Sequence, residues 1–146
     1  IAAAIGREQL KKAQIFYTQR KAIADNYNSG LADFDFIKCP PDEKYHSWHL
    51  YLIRVIEEKL TIGRDRFIEE LKKEGIGTSV HYIPLHIMPY YRELYSFKEK
   101  DFPETWNKYN SSISIPIFPG MTENQVNRVI FSIKAIGERF LRSRNG

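Results

Sequence analysis

The sequence predicts an α+β fold, a small, largely antiparallel sheet packed against helices on one face. Three observations carry that expectation. Apolar residues recur at helical spacing near both ends of the chain and over 64–74, whereas 34–41, 48–56 and 112–117 carry alternating or continuous apolar runs of strand length. Strands and helices are mixed, with few residues between them and no internal repeats. The 146 residues fit a single domain, 1–146, of ordinary size.

Taken in order, residues 2–28 read as one long amphipathic helix, with Leu10, Ala13, Phe16, Ile23 and Tyr27 at helical spacings and Arg20 interrupting them. Gly6 reads as a point of close packing and Gly30 as the stop, because glycine accepts the left-handed conformation that ends many helices. The polar face lacks the basic density and the opposing face lacks the bulky anchors of a membrane-surface helix, so the stripe belongs to a core or an interface. Residues 34–41 alternate weakly and end in Pro40-Pro41, as a short strand or extended arm does. Residues 48–56 are apolar almost throughout, the pattern of a central strand covered on both sides.

A second helix over 64–74 buries Phe67, Ile68 and Leu71 and sets Glu69 and Lys73 as an i,i+4 pair on its wet side. Gly75 falls where that helix needs a left-handed stop, and Ile76 where it packs back onto Leu71 in a Schellman-type ending. Residues 78–82 have strand composition, with Val80 and Tyr82 on one face and Ser79 and His81 on the other, until Pro84 ends the ladder. Pro89 opens a short helix carrying Tyr90, Tyr91 and Leu94, with Tyr91 packing it on the sheet. Asp101-Phe102-Pro103-Glu104 reads as an acidic cap, a first-turn proline and a capping-box glutamate ahead of Trp106 and Tyr109. Over 112–117, Ile113, Ile115 and Ile117 point inward and Ser112 and Ser114 outward. After a Pro119-Gly120 turn, Thr122 and Gln125 form a capping box for a last helix with the apolar stripe Val126, Val129, Ile130, Ile133, Ile136 and Phe140.

Composition excludes several classes. Apolar content of 42% with 27% charged residues reads as soluble and globular, and no apolar run approaches the roughly 20 residues of a membrane span. The formal charge of +4 is modest, and Arg139, Arg142 and Arg144 concentrate part of it in what reads as a solvated tail rather than a nucleic-acid footprint. Cys39 is the only cysteine, so no intrachain disulfide forms, which suits a reducing cytoplasm. The run Ile1-Ala2-Ala3-Ala4-Ile5 reads as helix interior with no capping residue and no secretory signal, so the chain is expected to continue a longer protein.

The stretch 75–86 organises the rest, because it delivers His81, Tyr82 and His86 to one strand exit. Together with Pro89-Tyr90-Tyr91-Arg92 it resembles the C-terminal part of DegT-type sugar-nucleotide aminotransferases, which use pyridoxal phosphate (PLP). Three further segments agree in family order: Ala3-Ala4-Ile5-Gly6 with Gln9-Leu10, Trp48-His49-Leu50-Tyr51 with Arg54, and 115–122 from Ile115 to Thr122. The resemblance covers essentially the whole chain. It implies the C-terminal small domain of a fold-type-I PLP enzyme, preceded in the full-length protein by a PLP-binding large domain.

PLP chemistry needs a lysine for the resting Schiff base and an acid at the pyridinium nitrogen. The lysines here, Lys11, Lys12, Lys72 and Lys73 among them, lie on predicted helix surfaces or polar loops, and none matches the family's lysine motif. No catalytic residue is therefore expected in this segment, which should not transaminate alone. A metal site is not expected either: His81 with His86 and His46 with His49 have usable spacings, but Pro84 interrupts the first pair and only Cys39 offers sulfur. Hydroxyl-rich ligands need fixed donors and acceptors beside flat aromatic surfaces. The resemblance implies His86 as the first candidate substrate contact, then Tyr82 and His81, then Tyr90.

The implied activity moves an amino group, typically from glutamate, to a nucleotide-linked keto-sugar in bacterial polysaccharide or deoxysugar biosynthesis. It implies a cytoplasmic homodimer, with no nucleic-acid or membrane partner. The alternatives are a non-catalytic sugar-binding or regulatory module, and a PLP-dependent sugar dehydratase or regulator of the same family.

Overall fold

Strand β2 (Tyr51–Val55) is the centre of the molecule. In the computed structural model, which describes residues 1–143, β1 (Ile37–Lys38) and β3 (Ser112–Ile115) flank it in a three-stranded sheet of order β1-β2-β3, every pair antiparallel. The register sets Ile37 opposite Val55, Ile53 opposite Ile113 and Tyr51 opposite Ile115. Side chains alternate along a strand, so these six share one face, and all six are buried. Leu52, Arg54, Lys38, Ser112 and Ser114 share the other face. The apolar run of 48–56 thus forms a central strand, but only one of its faces is sealed; Leu52 and Arg54 on the other are half-buried.

The sealed face is covered by α2 (Ala13–Leu31), α3 (Arg64–Lys73) and α6 (Glu123–Arg139). Helix α2 contributes Ile23, Ala24, Tyr27 and Leu31, and α6 contributes Val126, Val129, Ile133 and Ile136. Two buried tyrosines tie the layers through their hydroxyls: Tyr27 donates to the Pro116 carbonyl at 2.7 Å and Tyr51 donates to Asn28 Oδ1 at 2.5 Å. Burial raises the pKa of both phenols, so they remain donors.

Local chemistry explains the ends of α3 and α6. Gly75 has φ +74°, Ile76 N–H donates to the Leu71 carbonyl at 2.9 Å and Gly75 N–H to the Lys72 carbonyl at 3.0 Å, the complete Schellman pattern. Thr122 N–H donates to Gln125 Oε1 at 2.9 Å, and Gln125 N–H to Thr122 Oγ1 at 3.3 Å, closing the capping box.

Elsewhere the structure corrects the expectations. The helix over 2–28 is two helices, α1 (Ala2–Leu10) and α2; a tighter bond from Lys12 N–H to the Gln9 carbonyl interrupts the ladder between them. No residue of α1 is buried, and a Cβ at Gly6 would meet nothing within 4 Å. Gly30 is inside α2, not a stop; a Cβ there would lie 2.7 Å from Ile130 Cδ1, so Gly30 admits α6. Residues 78–82 form no strand beyond one bridge, Ser79 to Ser114, whose cover leaves Ser114 buried instead of outward. Glu69 pairs with Arg66 at 2.9 Å rather than with Lys73, which reaches Glu70 at 2.6 Å.

Pro103 does open α5 (Pro103–Ser111), but Asp101 does not cap it. Its Oδ2 is taken by the Lys98 N–H at 2.8 Å in the preceding turn. Helix α4 (Pro89–Tyr95) starts at Pro89 as expected, yet none of its residues is buried, so Tyr91 does not pack it on the sheet. The arginines near the end are engaged: Arg139 pairs with Glu70, and Arg142 Nε donates to the Leu60 carbonyl at 2.6 Å. Arg144 lies outside the described residues.

Candidate functional site

The segment between Gly75 and β3 crosses the open side of the sheet and carries the candidate residues. Its first anchor is the Ser79–Ser114 bridge, with N–H donations of 3.1 and 2.8 Å in the two directions. Its second is Arg64, whose buried guanidinium lies 5.3 Å from the Tyr109 ring centroid and so holds α5 against α3. Between these anchors the chain turns at His81-Tyr82, a cis peptide, and again in a single turn of 3-10 helix, Leu85–Ile87.

His81 and Tyr82 come together. Their rings meet edge-on at 4.8 Å, and both line a cavity of about 240 Å3 with Pro84, Thr105, Lys108 and Ser112. Tyr82 is 76% exposed and offers its ring to solvent. His81 is half-buried, and its Nδ1 is covered with no hydrogen-bond partner.

His86 sits apart from that pair. It is 7% exposed and lines a second cavity of about 430 Å3 with Leu85, Tyr91, Phe97, Phe102 and Thr105. Its ring lies 4.7 Å from Phe102, which meets Phe97 edge-on at 5.3 Å. The Nε2 of His86 is buried without a hydrogen-bond partner, which is uncommon for a buried polar atom. Thr105 lines both cavities and is their link. Tyr90 is exposed and stands edge-on to Tyr91 at 5.2 Å. The four candidates therefore occupy two adjoining cavities and one exposed flank.

Thr105 and Lys108 are site-lining residues that reasoning from the sequence missed. They lie one turn apart on α5, and their neighbours across the cavity are some twenty-five positions away, so no local spacing announces them. The other histidine pair is used differently. His46 Nδ1 accepts the Trp48 N–H at 2.9 Å and its ring lies 4.2 Å from the buried Trp48, while His49 is exposed. Among the described residues no three His, Cys, Asp or Glu side chains converge as a metal site would require.

The lysines do not fit a Schiff base to PLP. All are exposed except Lys21, which is half-buried and held by Asp25 at 2.5 Å and Asp42 at 3.4 Å. The hydrogen bond to Asp25 raises its pKa, opposite to what an amine needs in order to attack a carbonyl. Cys39 is no alternative, since a thiol forms no Schiff base, and burial pushes this one up. No helix of the described residues is long and apolar enough to cross a membrane.

Comparison with known proteins places these observations. Residues 1–134 match the model of the DegT/DnrJ/EryC1/StrS aminotransferase family. The chain is 44% identical over 138 residues to the uncharacterized protein MJ1066 of Methanocaldococcus jannaschii, a match covering 93% of this chain and 36% of that protein. It is 38% identical over 139 residues to the spore coat polysaccharide biosynthesis protein SpsC of Bacillus subtilis, again covering 93% and 36%. The PLP form of the putative sugar aminotransferase Spr1654 of Streptococcus pneumoniae superposes with a TM-score of 0.84 at 30% identity, covering 94% of this chain and 35% of that one. The chain thus spans about a third of the length of the proteins it matches, at 36%, 36% and 35%.

Proposed function

Since the chain belongs to the DegT/DnrJ/EryC1/StrS aminotransferase family, we propose that it is the C-terminal domain of a PLP-dependent enzyme that moves an amino group from glutamate to a nucleotide-linked keto-sugar. The reading places the enzyme in the cytoplasm as a homodimer that makes amino sugars for a polysaccharide or a deoxysugar product. PLP supplies the electron sink for such a transfer, and its Schiff-base lysine belongs to the preceding large domain of the longer protein. This chain's part is recognition of the sugar, and alone it turns nothing over.

One observation carries the reading: the buried, unpartnered Nε2 of His86 in an aromatic cavity that Thr105 joins to the cavity of His81 and Tyr82. Flat rings beside fixed polar atoms suit a sugar. His86 is the first contact, Tyr82 and His81 form the second wall, and Tyr90 is an outer flank.

The test is His86→Ala in the full-length protein. Losing one hydrogen bond to an uncharged partner costs about 0.5–1.5 kcal/mol, so kcat/KM for the keto-sugar nucleotide falls about threefold to tenfold. The rate with the amino donor, measured in single turnovers, stays unchanged. Equal loss with both substrates would make His86 structural, and no loss would remove it from the site. The second reading, a non-catalytic sugar-binding or regulatory module, draws on the lysines; sugar binding by the full-length protein without amino transfer would establish it.

A further inference from the structure

The open face of the sheet carries charges that the fold does not neutralise. In the β1–β2 register Lys38 stands directly opposite Arg54, and across β2–β3 Arg54 stands opposite Ser112. Like charges directly opposite on one face destabilise a sheet. All three residues line a cavity of about 360 Å3 with His81 and Lys108, and no carboxylate lines it. Among the described residues the side chains of Lys38, Arg54 and Lys108 make no ion pair and no hydrogen bond.

Other cations of the chain are treated differently: Lys21, Lys59, Arg66, Lys73 and Arg139 each hold a carboxylate. Arg54 and Lys108 also line the adjoining cavity, with Glu57, Glu58 and Glu104, yet neither cation pairs with any of these carboxylates, and Glu57 accepts the Arg64 N–H. An exposed lysine without a partner is ordinary. Arg54 is not that case, because it is half-buried on the central strand with a second cation as its cross-strand partner. A local rule broken without compensation in the fold marks a functional site.

We propose that this face binds a diphosphate, the group that joins sugar to nucleoside in the substrate class proposed above, on which this identification rests. A guanidinium fork matches two phosphate oxygens, and two ammonium groups spread over the same cavity suit a second phosphoryl group. His81 lines the same cavity, and its buried Nδ1 has no hydrogen-bond partner. Direction follows from shared lining: His81, Lys108 and Ser112 belong to this cavity and to that of Tyr82, so a ligand held here by its diphosphate extends its sugar toward Tyr82.

The probe is inorganic pyrophosphate, titrated calorimetrically into the full-length protein at fixed ionic strength. One equivalent per chain binds, and Arg54→Gln and Lys108→Gln each weaken it by about tenfold or more, as the loss of a charge-assisted bond does. Lys108 is exposed on α5, so its variant keeps the test valid if Arg54→Gln fails to fold. Binding unchanged in both variants, or inorganic phosphate binding as tightly as pyrophosphate, would overturn the diphosphate site. Pyrophosphate binding that depends on Arg54 without turnover of any keto-sugar nucleotide keeps the site and sinks the substrate reading. Turnover with an unchanged KM in both variants does the reverse.

Discussion

The two faces of the sheet are built from alternate residues of the same three strands and meet opposite demands. Ile37, Tyr51, Ile53, Val55, Ile113 and Ile115 lie under three helices, while Lys38, Leu52, Arg54 and Ser112 lie under a segment that leaves cavities beside them. Charge follows the same division. On the helical side the buried Glu70 is held by Arg66 at 2.8 Å, by Lys73 at 2.6 Å and by Arg139. On the open side Lys38, Arg54 and Lys108 hold no carboxylate among the described residues. Strand alternation gives stability to one set of positions and leaves the other set free to serve a ligand.

Substitutions that divide the two faces test this. The largest effect belongs to the sealed face. Leu71 is fully buried and takes part in the Schellman ending through its carbonyl. Leu71→Ala lowers unfolding free energy by about 2–5 kcal/mol, the cost of a buried leucine truncated in a core that cannot collapse around it. Urea denaturation reads the loss, and pyrophosphate affinity of the folded fraction stays unchanged. A loss of both would mean that the faces are mechanically coupled.

Next is Gly137. A Cβ there would stand 2.0 Å from Phe36 Cζ, so the ring of Phe36 lies against the helix backbone. Overpacking of this kind costs about 1–3 kcal/mol, offset by up to about 1 kcal/mol of helix preference for alanine. Gly137→Ala therefore destabilises, and less so in a Phe36→Leu background. An equal loss in both backgrounds would remove Phe36 as the cause.

Gly137 also shows where the sequence was legible. The Schellman stop at Gly75, the box of Thr122 and Gln125, the first-turn prolines and the stripe of α6 were readable because each signal acts within four residues of its cause. Gly30 and Gly137 were not, since their reason lies across the core in Ile130 and Phe36. The strand expected at 78–82 failed because strand composition needs a ladder, and only Ser79 finds one. Asp101 had the right chemistry for a cap, but a backbone N–H three residues upstream competes for it. For the candidate site, His81 and Tyr82 were readable as neighbours in the chain. The aromatic walls of His86 and the juxtaposition of Lys38, Arg54 and Lys108 depend on residues that only folding assembles.

Glu70 gives a conditional effect, limited because its three cations are half-exposed and screened by solvent. Lys73 first, then the charges of Arg139 and Arg66, hold its carboxyl below the ordinary 4.5 in spite of burial. A carboxylate with a depressed folded pKa stabilises fully above its unfolded value and loses that contribution as pH falls through the folded one. Glu70→Gln therefore lowers Tm at neutral pH, and the gap to the unaltered protein narrows on acidification below 4.5. A gap independent of pH would assign the loss to packing.

The smallest expected effect is the sharpest test of the open face, because it has the opposite sign. Lys38 is exposed, two residues before Pro40, and its cross-strand partner is Arg54. Replacing it by glutamine removes a repulsion worth about 0.2–1 kcal/mol and little packing, so Lys38→Gln raises Tm slightly in low salt. At about 1 M salt, where charges are screened within roughly 3 Å, the gain disappears. A ligand that binds only the folded state stabilises it by an amount that grows with its concentration over Kd. Pyrophosphate therefore raises Tm of the unaltered protein more than that of Lys38→Gln, and the order of the two reverses as pyrophosphate is added. A variant less stable than its parent without pyrophosphate would show that Lys38 serves the fold. A constant difference at every pyrophosphate concentration would show that it serves no anion.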